Sequence, residues 1–174
     1  GGTARFFCSV STAHDLTEAV SFAISKKLPI VVLGGGSNVL ITGTEFSGLL
    51  IKIDIKGLEW KEEGETTELI AGAGENWDAL VGVAVKRGLW GIENLSGIPG
   101  TVGAAPIQNI GAFGTEVKET LLWVEAFDPG TKELKRLSNE DCRFGYRDSF
   151  FKSFEGRSLI VTRVAFRLSK HGKP

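Results

Sequence analysis

The pattern of apolar and polar positions in the first third of the chain predicts a strand–helix–strand unit. Arg5 to Val10 reads as a short strand, and the wholly apolar run Ile30 to Leu33 predicts a second strand that is buried on both faces. Between them, apolar residues recur at helical spacing, which predicts a helix from Asp15 to Lys27. Asp15 is the expected N-cap and Glu18 its capping-box partner.

The remaining two thirds of the chain predict a second unit built mostly from strands. One amphipathic helix starts after the N-cap candidate Asn76 and ends at Gly88, where a C′ glycine belongs. We place a subdomain boundary near Ile55 to Glu59, so that residues 1–56 and 57–174 form two subdomains of an α+β protein. The predicted strands are Leu49–Ile53, Gly57–Trp60, Glu68–Ala71, Leu121–Asp128, Glu133–Leu137 and Leu159–Leu168.

A glycine-rich central stretch, Ile92 to Gly114, separates the second helix from the later strands. It holds five glycines and two prolines and almost no charge, yet it carries too many apolar residues to be a solvated linker. Backbone of this kind suits close packing against a flat, apolar ligand, with N–H groups free to face an anion. The alternative interpretation is a tight, buried structural loop.

A second glycine-rich segment, Gly34 to Asn38, follows the predicted apolar strand. It is not a dinucleotide-binding turn, because Val39 stands in the place of a further glycine and no helix begins there. Successive backbone N–H groups could still hold a phosphate, with Ser37 and Asn38 as additional donors. The alternative is a plain turn made of glycine.

Composition and charge exclude several functions. Hydrophobic residues make up 42% of the chain and charged residues 24%, which favours a globular core over disorder. The net charge is −1 and no basic run occurs, so nucleic acid and an anionic membrane are not expected partners. No apolar run approaches the roughly 18 residues that a membrane span needs.

The rare residue types add little chemistry. Cys8 and Cys142 are expected to be reduced, buried thiols, and with His14 and His171 they show no metal-ligand spacing, so no metal is expected. The chain contains no methionine and begins GGTARFF, so we expect its natural start to lie elsewhere.

The dipeptide Tyr146–Arg147 is the most prominent polar feature of the chain. It lies among Phe144, Phe150 and Phe151, and a guanidinium in apolar surroundings needs an anion or several acceptors. The alternative is a structural ion pair with Asp148 or Glu140. Ser149 has no base near it in the sequence and is not expected to donate a proton.

Four segments in this order and spacing resemble the UDP-N-acetylenolpyruvoylglucosamine reductase (UDP-N-acetylmuramate dehydrogenase) family. They are LGGGSNVL, AGAGENW, ENLSGIPGTVGAAPIQNIGAFG and CRFGYRDSFFK. The resemblance covers nearly the whole chain. It implies an α+β, two-subdomain FAD-binding module of the vanillyl-alcohol oxidase (PCMH) type, followed by a separate substrate domain.

The resemblance also implies roles for individual residues. Tyr146 and Arg147 match the family's tyrosine–arginine pair, whose arginine stabilises a substrate carboxylate as it becomes enolate-like. The residues implied in FAD binding are Gly34, Gly35, Gly36, Ser37, Asn38, Pro99, Gly100, Thr101, Gly103, Ala104, Gln108, Asn109, Gly111, Ala112 and Ile160.

The implied activity is that of a cytoplasmic flavoprotein oxidoreductase of peptidoglycan synthesis, and hence of cell-wall formation, cell shape and cell division. NADPH reduces FAD, and the enolpyruvyl group of a UDP-sugar is reduced to give UDP-N-acetylmuramate. The family's proton-donating serine and its partner glutamate match no residue before Pro174, so residues 1–174 are expected to be inactive alone. The alternatives are an FAD-dependent oxidase of the same superfamily and a non-catalytic nucleotide-binding module.

Overall fold

The computed structural model describes residues 2–172, and its first unit is a three-stranded parallel sheet. Strand β1 spans Thr3–Val10, helix α1 spans Ala13–Ser25, β2 spans Ile30–Leu33 and β3 spans Glu45–Ile53. The strand order is β1-β3-β2, so β3 is central and pairs with both neighbours. Helix α1 buries its apolar face, with Leu16, Val20 and Ala23 fully enclosed.

Helix α1 begins two residues before the predicted N-cap. Thr12 is the N-cap: its hydroxyl oxygen accepts a hydrogen bond from the Asp15 N–H at 3.1 Å. The Asp15 carboxylate in turn accepts from the N–H of Thr12 at 3.0 Å and of Ser11 at 2.8 Å. The capping box is therefore Thr12–Asp15, and the predicted pair Asp15–Glu18 is wrong because both Thr12 and Asp15 are competent caps in a Ser-Thr-x-x-Asp sequence.

The second unit is a five-stranded antiparallel sheet with the order β4-β5-β10-β8-β9. Long strand β10 lies at its centre, and β8 and β9 form an antiparallel hairpin around the turn Asp128-Pro129-Gly130-Thr131. The short strands β6 and β7 pair with each other within and just after the central stretch. The bounds are β4 Leu58–Glu63, β5 Thr66–Gly72, α2 Trp77–Lys86, β6 Gly111–Ala112, β7 Thr115–Glu116, β8 Leu121–Asp128, β9 Glu133–Ser138 and β10 Ile160–Ser169.

Helix α2 anchors the central stretch to the second sheet. Asn76 caps its start, as predicted, by accepting from the Ala79 N–H at 2.8 Å. The buried Trp77 donates its indole N–H to the carbonyl of Leu95 at 2.8 Å and packs edge-to-face on Phe166 of β10. Because one side chain contacts both segments, the central stretch is held against the sheet at this point.

One continuous apolar core runs through both sheets and the central stretch. The division that we predict between residues 56 and 57 stays a prediction. Within residues 2–172, no helix is long and apolar enough to cross a membrane. In the same part of the chain, no three His, Cys, Asp or Glu side chains cluster closely enough to hold a metal ion.

Candidate functional site

A cavity of about 700 Å³, here called the central cavity, opens between the two sheets. Its walls come from β2 and the loop after it, from the central stretch, and from the segment that leads into β10. The apolar part of the wall includes Ile30, Val32, Ile107, Leu159 and Ile160.

Strand β2 is not buried on both faces, contrary to the sequence-based expectation. Val31 is 37% exposed and Val32 is 38% exposed. The reason is that β2 is an edge strand and that one of its faces, with Val32, lines the cavity instead of meeting other protein. An apolar strand that faces an open cavity indicates an apolar ligand.

The two glycine-rich loops meet at the cavity, and their side chains bind each other. The Ser37 hydroxyl donates to the Pro99 carbonyl at 3.2 Å, and the Asn38 amide donates to the Gln108 side-chain oxygen at 3.2 Å. A Cβ atom on Gly34 would overlap the Thr101 hydroxyl. Glycine at position 34 therefore lets the two loops approach without a shift of the Thr101 side chain.

Backbone N–H groups of both loops remain without protein partners. Within residues 2–172, the N–H groups of 35–38 and of Gly100 donate no hydrogen bond. Gly36 has a φ of +72° and Gly100 a φ of +132°, conformations that glycine adopts without strain. Successive free N–H groups in such turns form a concave site that suits an anion.

The charge on the cavity lining has one sign. Lys152 and Arg157 are the charged residues among the described lining residues, which include neither aspartate nor glutamate. Neither residue was predicted from the sequence, although both fall in the short segment FFKSFEGR that precedes β10. Two cations and a set of free N–H groups on the lining of one cavity favour a ligand that carries phosphate.

Most residues predicted to contact a cofactor line the central cavity. Gly103 does so while also packing against Ala73, because a Cβ at this position would lie 2.6 Å from the Ala73 Cβ. Three predicted residues do not line the cavity: Asn109, Gly111 and Ala112. Those that do are Gly34, Gly35, Gly36, Ser37, Asn38, Pro99, Gly100, Thr101, Gly103, Ala104, Gln108 and Ile160.

Tyr146 and Arg147 lie in a tight turn at the edge of the site and not among the lining residues of the cavity. Tyr146 is 87% exposed, and Arg147 is exposed with a φ of +52°. Arg147 donates to the Gly111 carbonyl at 3.1 Å, and within the described residues it forms no ion pair with Asp148 or Glu140, which was the alternative interpretation. The expectation of an aromatic enclosure is also wrong, because the turn directs both side chains outward.

A carboxylate lies near this arginine on the neighbouring strand β7. The pKa of Glu116 is held below its ordinary range, first by a hydrogen bond from Lys118 and further by the charges of Lys118 and Arg147. Glu116 is therefore ionised at neutral pH, and Arg147 has both a fixed acceptor and an anionic neighbour.

Comparison with known proteins decides the family. The family model described as "FAD binding domain" matches residues 4–138, which is most of the chain. The chain belongs to this FAD binding domain family. FAD fits the central cavity: its diphosphate suits the free N–H groups and two cations, and its rings suit the apolar walls.

Curated relatives of this FAD binding domain confirm the resemblance seen in the motifs. The chain is 45% identical over 172 residues to UDP-N-acetylenolpyruvoylglucosamine reductase of Chromobacterium violaceum, covering 98% of this chain and 50% of that protein. A protein of the same name from Shewanella baltica is 44% identical over 176 residues, covering 99% of this chain and 51% of the relative. The chain thus spans about half the length of the curated relatives it matches.

Solved structures support the same fold. The crystal structure of UDP-N-acetylenolpyruvylglucosamine reductase (MurB) from Thermus caldophilus superposes with a TM-score of 0.77 at 30% identity, covering 95% of this chain and 56% of that one. The crystal structure of 6-hydroxy-D-nicotine oxidase from Arthrobacter nicotinovorans gives a TM-score of 0.70 at 19% identity, covering 97% and 37%. The predicted α+β FAD-binding module of the vanillyl-alcohol oxidase (PCMH) type is confirmed.

Proposed function

We propose that this chain is the FAD-binding part of a reductase that uses NADPH to reduce UDP-N-acetylglucosamine enolpyruvate to UDP-N-acetylmuramate. The observation that carries the proposal is the central cavity, whose described lining has two glycine-rich loops with free N–H groups and neither aspartate nor glutamate. This cavity lies in a chain that is 45% identical to UDP-N-acetylenolpyruvoylglucosamine reductase of Chromobacterium violaceum. The substrate and product follow from the relatives, and the cavity supports the cofactor.

Different residues around the cavity would bind different parts of FAD. The free N–H groups of 35–38 and of Gly100 would bind the diphosphate, with Arg157 and Lys152 adding positive charge. The apolar wall formed by Val32, Ile107 and Ile160 would pack against the rings of the cofactor and exclude water from them. The Ser37–Pro99 and Asn38–Gln108 hydrogen bonds hold the two loops at a fixed separation.

When bound, FAD would supply hydride transfer, accepting a hydride from NADPH and passing it to the enolpyruvyl carbon. Arg147 would bind the substrate carboxylate and stabilise the negative charge that develops on it after hydride addition. The exposed position of its guanidinium leaves donor groups free for a substrate, while the Gly111 carbonyl holds one of them. A fixed cation where charge develops lowers the barrier by several kcal/mol in a site that excludes water.

The proposal also covers where the reaction takes place in the cell, its partners and its role in cell-wall formation. We place the reaction in the cytoplasm, with NADPH and a nucleotide sugar as partners and with no metal, membrane or nucleic acid involved. UDP-N-acetylmuramate is a building block of peptidoglycan. A defect in this reaction should therefore weaken the cell wall and disturb cell shape and division.

The test starts from purified protein reconstituted with FAD under anaerobic conditions. In the reductase that contains this chain, we expect a bound-flavin absorbance spectrum that bleaches on addition of NADPH. The spectrum should recover on addition of the enolpyruvyl substrate, and UDP-N-acetylmuramate should then be detected by mass. Arg147→Lys keeps the charge and loses the planar fork, so it should slow the recovery much more than the bleaching.

Other outcomes would favour other functions. Recovery of the spectrum with oxygen and peroxide formation, but not with the enolpyruvyl substrate, would indicate an oxidase. Binding of FAD with no bleaching by any reductant of this type would indicate a nucleotide-binding module. Equal slowing of both half-reactions by Arg147→Lys would contradict the role given to this residue.

A further inference from the structure

Asn109 is a buried polar residue that does not line the central cavity. It is fully buried and has a φ of +45°, a left-handed conformation that asparagine tolerates better than most residues. Its side-chain oxygen accepts from the Lys118 N–H at 3.2 Å, and its side-chain nitrogen donates to the Gly145 carbonyl at 2.9 Å. One amide therefore joins three segments that are distant in sequence.

The turn at residues 145–148 and the next residue, Ser149, are attached to one wall segment, residues 107–111, by three side-chain hydrogen bonds. Asn109 donates to Gly145, Ser149 donates to the Ile107 carbonyl at 2.7 Å, and Arg147 donates to the Gly111 carbonyl. Ile107 lines the central cavity. The position of the turn is thus set by the same backbone that borders the cofactor site.

We propose that Asn109 is a positioning residue, which fixes the Tyr146–Arg147 turn relative to the wall of the central cavity. The proposal rests on the proposed function in one respect, the catalytic role of Arg147. Asn109 acts on Arg147 through the Gly145 carbonyl, two residues before it, and so limits where the guanidinium can go.

The site needs both ends of an amide at this position. The donor end meets a carbonyl of the turn and the acceptor end meets an N–H of the segment after β7. Aspartate would lose the donor and bury a charge, and glutamine would be one methylene too long for the enclosed space. Glycine would keep the left-handed backbone and delete both hydrogen bonds.

The first test measures how firmly the turn is held, and it does not depend on catalysis. Trypsin can cleave after Arg147 only when the turn opens into an extended strand. Cleavage after Lys132, in the β8–β9 turn, serves as an internal reference, because both bonds are followed by an acidic residue. The measured quantity is the ratio of the two cleavage rates, followed by mass spectrometry.

We expect Asn109→Gly to raise this ratio by about tenfold, the factor that corresponds to losing one or two hydrogen bonds of ordinary strength. Asn139→Gly is the matched control. Asn139 also donates twice, to the carbonyls of Lys118 and Leu121 at 2.8 and 2.7 Å, but not to the 145–148 turn. The control should leave the ratio near its original value.

A second variant covers the case in which Asn109→Gly does not fold. Asn109→Asp retains the acceptor for the Lys118 N–H, loses the donor to Gly145 and buries a charge beside the Glu116 carboxylate, so it should raise the same ratio. An unchanged ratio in either folded variant, or an equal rise in Asn139→Gly, would overturn the proposal.

The second test asks whether Asn109 acts through Arg147, using product formation per bound FAD in the reductase. Asn109→Gly should slow product formation by about tenfold in the wild-type background. In an Arg147→Lys background, Asn109→Gly should slow product formation little further, because the side chain that Asn109 positions is already altered. Equal losses in both backgrounds would show a general structural role. If the wild type formed no product, the proposed function would fail while the proteolysis ratio would still decide the positioning.

Discussion

Arg157 carries one of the two positive charges on the lining of the central cavity. Its guanidinium carbon lies 4.7 Å from the centre of the exposed Phe154 ring. An exposed ion pair typically contributes about 0.2–1 kcal/mol, so Arg157→Gln should raise the Kd for FAD by up to about fivefold. A fluorescence titration at low salt measures this effect.

Arg143→Gln is the matched control for that change. Arg143 also stacks on a phenylalanine, 5.3 Å from the Phe150 ring centre, and does not line the cavity. It should leave the Kd for FAD near the wild-type value, and the effect of Arg157→Gln should shrink as salt is raised. Equal effects from the two variants, or one that salt does not change, would show that the Arg157 charge does not face the cofactor.

Cys142 makes the free energy of unfolding depend on pH in the alkaline range. The thiol is fully buried, and burial, followed by the charge of Asp141, raises its pKa from 9.0 to about 12. Above pH 9 the unfolded chain loses this proton while the folded chain keeps it, so the free energy of unfolding falls as pH rises from about 9 towards 12.

The contribution of Cys142 is measured as a difference between variants, so that contributions common to both proteins cancel. Urea unfolding between pH 8 and 10.5, under reducing conditions, should show a steeper loss for the wild type than for Cys142→Ala. Cys8→Ala, at a half-buried thiol, should flatten the slope less. Parallel curves for the wild type and Cys142→Ala would contradict the raised pKa.

Individual side chains show where sequence reasoning succeeds and where it stops. Of the glycines predicted to bind the cofactor, Gly111 does not line the cavity, and those that do are Gly34, Gly35, Gly36, Gly100 and Gly103. Glycine patterns report backbone demands that are local, and so they can be read from the sequence. That Gly34 meets Thr101, and that Gly103 meets Ala73, depends on how distant segments pack. The exposure of Arg147 was missed for the same reason: neighbours in sequence, here the phenylalanines, need not be neighbours in space.

At the scale of elements, helix α1 depends on its first turn. The Thr12–Asp15 capping box satisfies three N–H groups that would otherwise have no partner within the helix. Thr12→Ala removes the hydroxyl acceptor and should lower the free energy of unfolding by roughly 0.5–2 kcal/mol. Urea unfolding monitored by circular dichroism measures the change.

Ser25→Ala provides the comparison at the other end of helix α1. The Ser25 hydroxyl donates to the Phe22 carbonyl at 2.8 Å on an exposed surface, where water can replace it. Ser25→Ala should lower the free energy of unfolding clearly less than Thr12→Ala does. If the two variants were equally destabilised, the capping box would contribute nothing beyond an ordinary surface hydrogen bond.

The strands illustrate a different limit of prediction. Strand type and approximate bounds followed from the apolar pattern, and β8 was predicted to the residue. Strand β2 was misjudged because an all-apolar strand looks the same whether protein or a ligand covers it. Apolar periodicity predicts that a face is covered and does not identify the covering group.

At the scale of the whole molecule, the central cavity couples the two sheets. Its walls include β2 of the parallel sheet, β10 of the antiparallel sheet and the loop between helix α2 and β6. A ligand that spans these walls binds the folded chain and not the unfolded one, so it stabilises the native state by RT ln(1 + [L]/Kd), about 2.7 kcal/mol at one hundred times Kd. We therefore expect FAD to raise the Tm of residues 1–174 in a concentration-dependent way and within a single transition.

The whole cofactor should be needed for this effect, since the anion-binding loops and the apolar wall lie in different parts of the cavity. FMN lacks the adenosine and ADP lacks the flavin, so at equal free concentration each should raise the Tm less than FAD does. Hydrogen exchange should slow on FAD binding in both 31–39 and 98–104, because the N–H groups of both loops gain an acceptor. Protection confined to one loop, or a shift with ADP as large as that with FAD, would mean that the cofactor contacts only one side of the cavity and leaves the two sheets uncoupled.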